Sequence, residues 1–335
     1  MFSKTLFFLA FNKDQVPNDI WEEYYGQPTE DHTDITDNSK PTVSSNFFLL
    51  SSNFVNLTDR VIYCHEVNDI KLLHSLCTYT NITSSDSGGS IYFRCNSSIV
   101  QDRFCAIKCY AKSAGKYSYT RVKSETETNK NFVHLSSLYQ CGHDYSGDGS
   151  MSHNFGYKTL ISTNNTKSRC EKFACYCFGN NPGNIKFCCF ISNDNHETNP
   201  ICMSHYKSPD SFVKKSIFKN NSAKNDDYYG LFLSSENSNV TVSECIFLQN
   251  IAKYTFCARD NSVLTVINSY VDNLNATSYI GTVNTGQMKT DSFNIPLSLL
   301  SLGECEAENQ FVGLKYTKTN QINILENRYL WQRRR

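Results

Sequence analysis

Val213-Lys214-Lys215-Ser216-Ile217-Phe218-Lys219-Asn220-Asn221 and Val242-Ser243-Glu244-Cys245-Ile246-Phe247-Leu248-Gln249-Asn250 align without a gap, 29 residues apart. Phe190-Ile191-Ser192-Asn193 lies 28 residues upstream of the first, so Phe-x-x-Asn returns at this spacing at Phe190, Phe218 and Phe247. A weaker copy at 266–271 follows after a step of 24, with Val271 where Phe had stood. Each copy joins a β-branched run, a small residue (Cys188, Ser216, Cys245, Ser269) and a large apolar pair. A period of this length marks stacked supersecondary units.

Residues 239–246 and 262–267 alternate apolar with polar and are bounded by Asn, Ser and Asp. That is strand chemistry between turns. A polar stretch follows each Phe-x-x-Asn, then a short run such as 230–233 or 255–258. The pattern predicts about three short strands per coil and no helical period. One such coil cannot bury its inner side, but stacked coils can, each strand bonding its equivalent about 4.8 Å away. A propeller blade needs about 40–45 residues, which this period does not supply. The Asn-Gly and Asp-Gly hairpin turns expected of a sandwich are nearly absent.

The expected fold is therefore all-β, a right-handed parallel β-helix of the pectin-lyase-like solenoid type with irregular N- and C-terminal caps. Residues 46–300 form the helix, 1–45 a leader or cap and 301–335 a cap or tail. Phe190, Phe218 and Phe247 are expected inward with the small residues. Asn193, Asn221 and Asn250 are expected at a corner, in left-handed geometry or in a side-chain ladder.

The chain of 335 residues balances 32 basic against 32 acidic side chains. Such a chain has no basic footprint for nucleic acid. Of its 15 cysteines, Cys105, Cys109, Cys170, Cys175, Cys177, Cys188, Cys189 and Cys202 cluster in the middle third. Disulfides of a secreted protein and buried thiols both fit, and for Cys188 and Cys245 the inward slot favours the thiol. Lys4 followed by a mostly apolar run at 5–11 fits a weak export signal or an ordinary strand. Seven Asn-x-Ser/Thr sequons match chance frequency in so Asn-rich a chain and decide nothing. No run approaches the roughly 20 apolar residues of a membrane span.

Chemical motifs are sparse. Ser87-Gly88-Gly89-Ser90 lacks the Gly-Lys-Ser/Thr ending of a phosphate loop and is expected to be a tight turn entering a strand. The oxygen-rich turn 143–149 lacks the calcium-loop pattern, and a turn capped by Asp144 is expected. Cys175, Cys177, Cys202 and His205 do not have the usual zinc spacing. Asp226-Asp227 and Arg259-Asp260 fall in expected turns, where solvated charge is the default. No catalytic residue, cofactor or metal is expected.

Phe-x-x-Asn repeats with a Gly-Gly-x-Ile element, here Gly88-Gly89-Ser90-Ile91 after Tyr79-Thr80-Asn81, resemble the polymorphic membrane protein family of surface adhesins. Residues 98–105, Cys109-Tyr110 and 136–142 look most like the large surface-protein families of trichomonad protists. The resemblance spans about residues 60–285, with a single Gly-Gly element and no autotransporter-like barrel. It implies a right-handed β-helix at the cell surface, with adhesion as its role and no known catalytic residues.

The expected function is thus non-enzymatic: a secreted or surface-displayed solenoid binding a host or cell-surface ligand, protein or glycan. A polysaccharide lyase or hydrolase on the same fold is the alternative, and a degenerate gene copy a third reading.

Overall fold

The computed structural model describes residues 17–26, 32–122, 128–144, 146–172, 175–178, 182–195, 201–204, 210–223 and 230–297. The coil through Ile91 shows the plan. Strand Ile91–Asp102 runs along a first face and bends onto a second, and Cys105–Ile107 forms a third. The chain then returns to the first face at Ser118–Val122, which pairs in parallel with Ile91–Cys95. Repetition yields a nine-stranded sheet on the third face. The other two faces count as one seventeen-stranded sheet, because Ile62–Ser75 and Ile91–Asp102 cross from one to the other. All the strand pairs are parallel, as expected of a parallel β-helix. The register matches the repeat: Val213 pairs with Val242, Ile217 with Ile246 and Phe218 with Phe247.

Stacking puts like on like inside the solenoid. Phe190, Phe218 and Phe247 are buried and stack with nearly parallel rings, centroids 5.4 and 4.5 Å apart. Phe54 and Tyr79 repeat the arrangement near the N-terminal end at 5.5 Å. Each buried ring contributes about 2 kcal/mol of burial, and each offset pair about 1 kcal/mol more.

The asparagines form the ladder and not the left-handed corner. Asn193 Nδ2 donates to Asn221 Oδ1 at 3.1 Å, and Asn221 Nδ2 to Asn250 Oδ1 at 3.0 Å. The same oxygens accept the backbone N–H of the coil before, from Asn193 at 3.1 Å and Asn221 at 2.9 Å. Asn221 and Asn250 also donate to the carbonyls of Phe190 and Phe218, both at 2.8 Å. The left-handed residue is the one before: Ser192, Asn220 and Gln249, with φ of 55°, 54° and 54°.

The small slot has its own chemistry. Ser216 Oγ donates to Lys214 O at 3.1 Å and accepts from Cys188 N at 3.2 Å. Ser269 does the same with Ile267 O at 2.9 Å and Cys245 N at 3.0 Å. The thiols of Cys188 and Cys245 point to the equivalent carbonyls at 3.3 and 3.2 Å. The slot therefore selects a small donor, which Ser and Cys both are.

A second left-handed corner separates the second face from the third. It carries Arg103, Leu135, Ser162, Phe187, Lys215 and Glu244, each with φ between 45° and 56°. Left-handed geometry costs a side-chain-bearing residue roughly 1–2 kcal/mol. Here the turn keeps the ladder unbroken, since Arg103 N still donates to His134 O at 3.0 Å and Leu135 N to Ile161 O at 2.9 Å. Gly88 and Gly89 do make the tight turn into a strand. A Cβ on Gly88, at φ 74°, would sit 2.2 Å from Ile91 O, and one on Gly89 2.0 Å from Lys116 O.

The N-terminal end is covered by chain outside the repeat. Helix α1, Pro17–Tyr25, lays Ile20, Trp21 and Tyr24 on Phe48, Leu73 and Val100 of the second face. Ile35 and Val43 join the main core. The 4–11 segment and residues 301–335 lie outside the described residues. Under α1, Tyr24 OH donates to Asp102 Oδ1 at 3.0 Å and meets His134 Nδ1 at 2.9 Å, and Ser75 Oγ donates to Asp102 Oδ2 at 2.9 Å.

Two predictions follow from the core. Asn221→Ala should cost about 4 kcal/mol, because several buried groups lose partners at once. Phe218→Leu should cost about 2 kcal/mol. Chemical denaturation compares them, and a reversed order would make the rings, not the asparagines, the dominant tie.

Burial lowers the pKa of His74 and His153 to about 3 and of His134 to about 4, with Lys158 and Lys130 adding to the last two. The unfolded chain therefore takes up these protons first, below pH 6.5, and stability falls as pH drops from there towards 4. Three histidines give a slope of about 4 kcal/mol per pH unit. Asp102, whose pKa burial raises, works in the opposite sense and offsets part of that slope. Denaturation midpoints between pH 7 and 5 should drop steeply, and less so in His134→Gln.

Candidate functional site

The first face of the N-terminal coils presents two outward columns. Alternation along Ile91–Asp102 buries Ile91, Phe93 and Cys95 and leaves Tyr92 and Arg94 half-exposed. Ser118–Val122 does the same with Tyr119 and Arg121. Registry stacks Tyr63, Tyr92 and Tyr119 in one column and His65, Arg94 and Arg121 in the next. Ring centroids are 5.3 Å apart for Tyr63–Tyr92 and 5.4 Å for Tyr92–Tyr119, both stacked. Tyr63 is 53% exposed, among the most exposed large side chains described.

Arg60 fixes the edge of the column. Its guanidinium lies 5.0 Å from the centroids of both Tyr63 and Tyr92, and it pairs with Asp59 and Asp86, each at 3.6 Å. His65 has Glu66 at 3.8 Å. Arg94 bonds the neighbouring Tyr92 side chain and is attracted by Glu66, while the Nε of Arg60, Arg94 and Arg121 alike is buried without a hydrogen-bond partner. Arg121 lies over the Phe155 ring at 5.2 Å. Two guanidinium groups on adjacent strands, about 4.8 Å apart by backbone spacing, repel each other. Sequence reasoning missed these columns. Their signal was Tyr-x-basic at Tyr63-x-His65, Tyr92-x-Arg94 and Tyr119-x-Arg121, recurring after 29 and 27 residues.

The sequence-selected residues fall elsewhere. The Phe and Asn repeat residues are inside the solenoid, and Gly88 and Gly89 serve backbone packing. Asp144 caps its turn, accepting from Ser146 N at 3.1 Å, and its Oδ2 accepts from Tyr110 OH at 3.0 Å. Lys116, fully buried, crosses beneath: Nζ donates to Ala111 O at 2.7 Å and Ser146 Oγ at 3.1 Å, with Asp144 Oδ1 at 3.4 Å. Hydrogen bonds from Ser146 and Tyr110 together with Lys116 hold the Asp144 carboxyl down at about 2 despite some desolvation. The Ser146 hydroxyl donates to Asp144 at 2.7 Å, so its proton is tied to the carboxylate rather than offered to Lys116. The cluster plugs a corner.

Cys202 stands in register with Tyr176, not with Cys175 or Cys177. His205, Asp226 and Asp227 lie outside the described residues, and Asp260 is a left-handed turn residue with φ 51°. No metal-holding group of His, Cys, Asp or Glu occurs among the described residues. Eleven described cysteines are buried free thiols, including Cys188 and Cys245, while Cys105 is disulfide-bonded. No described helix is long and apolar enough to cross a membrane.

The chain has no match among family models, curated proteins or solved structures.

If Lys116 is a structural plug, Lys116→Ala should destabilise by about 3 kcal/mol through the cavity and the stranded Ala111 carbonyl. Lys116→Met, keeping the apolar stem, should lose about half as much. Thermal melts of the two variants check the order.

Proposed function

We propose that the protein is a non-enzymatic binding scaffold, secreted or displayed at a cell surface, which holds its ligand on the first face of its N-terminal coils. The observation that carries this reading is the stacked tyrosine column lying in register beside a column of basic side chains on one rigid outer face. Large aromatics and Arg dominate binding hot spots, because they bring contact area and directed donors together. A rigid parallel ladder supplies the preorganisation, since each side chain is fixed by its neighbours above and below. The resemblance of the Phe-x-x-Asn and Gly-Gly elements to surface adhesins supports the extracellular setting.

The polysaccharide-cleaving alternative needs paired carboxylates at a defined separation across a cleft. Around these columns Asp59 and Asp86 are committed to Arg60. The site's chemistry is that of holding.

The test has two parts. A tagged chain in its native cell should be found outside the cytosol, and a cytosolic chain would end the adhesin reading. Labelled protein should bind intact cells or matrix, and Tyr63→Ala with Tyr119→Ala should reduce binding at least about tenfold. Phe212→Ser, a change at an exposed ring on the second face, should leave it unchanged.

A further inference from the structure

We propose that Cys64 and Cys95 are a modification site: in an oxidising compartment they join as a disulfide that bolts two neighbouring coils together behind the tyrosine column. The compartment rests on the extracellular half of that reading; the bond itself rests on the geometry of the pair.

Cys64 lies between Tyr63 and His65, and Cys95 follows Arg94. Alternation turns both inward, and they are 1% and 0% exposed. Their sulfurs meet from adjacent coils at 2.9 Å. A disulfide needs about 2.05 Å, so closing the bond takes less than about 1 Å of movement. Thiols of the other columns are aimed at carbonyls instead: Cys77 at Ser75 O (3.3 Å), Cys188 at Lys186 O (3.3 Å) and Cys245 at Ser243 O (3.2 Å). Cys109 and Cys141 also bond one another, yet Cys109 points to Tyr79 O at 3.5 Å and Cys141 to Ala106 O at 3.6 Å.

The backbone opposite Cys95 is irregular. Strand Ile62–Ser75 pairs Cys64 with Phe93 and His65 with Arg94, then shifts register before Asn68 pairs with Asn96. Glu66 takes the left-handed conformation within that shift, at φ 59°. A bulge leaves part of the ladder unpaired and bends its strand. Cys95, between Arg94 and Asn96, is the residue that faces the gap. A covalent tie there restores the hold that the interrupted ladder gives up. It also fixes Tyr63 against Tyr92, and His65 beside Arg94, from the inside.

The reaction is thiol–disulfide exchange with a small-molecule or enzyme disulfide, the oxidant of an export compartment. One cysteine thiolate attacks that disulfide and expels a thiolate, and the second displaces the remaining half from the mixed disulfide. The two cysteines lose two electrons and two protons, and the oxidant leaves as two thiols. In the folded chain the hydrogen bond to Cys95, together with burial, raises the Cys64 pKa. Only the thiolate attacks. The exchange therefore belongs to the folding chain, and the finished bond is shielded from reductant.

Refolding the reduced full chain in mixed oxidised and reduced glutathione, then blocking free thiols with N-ethylmaleimide in denaturant, tests the pairing. Peptide mapping should join the Cys64 peptide to the Cys95 peptide and find Cys188 and Cys245 blocked. A blocked Cys64 or Cys95, or either joined to another cysteine, would overturn the pair. Cys95→Ala should melt below the oxidised wild type, and reducing both should narrow the difference by about 5–10 °C. A difference that reductant leaves unchanged is cavity alone and removes the bolt. The same mapping on chain taken from its native cell separates the bond from the compartment. A pair that joins in glutathione but is reduced in the cell keeps the site and ends the extracellular reading. Chain found outside the cell with both thiols free overturns the bond and leaves the binding scaffold standing.

Discussion

Every feature of this molecule answers to the hydrogen-bond ladder between successive coils. A parallel strand bonds only to its equivalents above and below, so each coil is obliged to repeat the path of its neighbours. That obligation turns single side chains into columns. Inside, a column is stable when its members either stack apolar faces or bond one another. Phe190, Phe218 and Phe247 do the first, and Asn193, Asn221 and Asn250 the second. The asparagine column also caps the backbone at the corner, because each Oδ1 takes an N–H from the coil before it.

The ladder explains which parts of the fold were legible. The Val213 and Val242 stretches share a register because both carry the column-forming residues without an insertion, and spacing alone discloses that. The corners are different. Left-handed positions usually announce themselves as Gly or Asn. Here Leu135, Phe187 and Lys215 hold them, forced by the ladder on either side. Local propensity carries no trace of such a constraint. In the middle coils the columns change composition: Asn165 lies in register with Phe190 and donates to Ser150, while Ser168, three residues on in the asparagine position, donates its backbone N–H to Asn193 Oδ1. A search for Phe-x-x-Asn passes over that coil, although the backbone treats it like the others.

The site was legible in principle and overlooked for a physical reason. Periodic patterns are noticed where apolar residues recur, because burial makes them regular. Outward residues are free to vary from coil to coil, so a repeat among them carries more information per residue. Tyr-x-basic at three successive coils is such a repeat. The cysteines show the converse: Cys188 and Cys245 alternate with Ser216 and Ser269 in one column, a shared donor role that answers their presence without disulfides.

Translation along the axis favours some side chains and penalises others. Stacked phenyl rings and bonded amides gain from repetition, whereas stacked charges of one sign lose by it. Some basic residues avoid the penalty by pairing with an acid from another stretch of chain: Lys40 reaches Asp59 at 3.1 Å, and Lys214 reaches Glu244 at 2.9 Å. Arg94 and Arg121 stack in register, with Arg94 bonded to Tyr92 and attracted by Glu66 and Arg121 lying over the Phe155 ring. A solenoid has the means to answer a charge at nearly every step, simply by placing an acid one coil away. Arg94 follows that rule, since Glu66 on the neighbouring coil is the acid that attracts it.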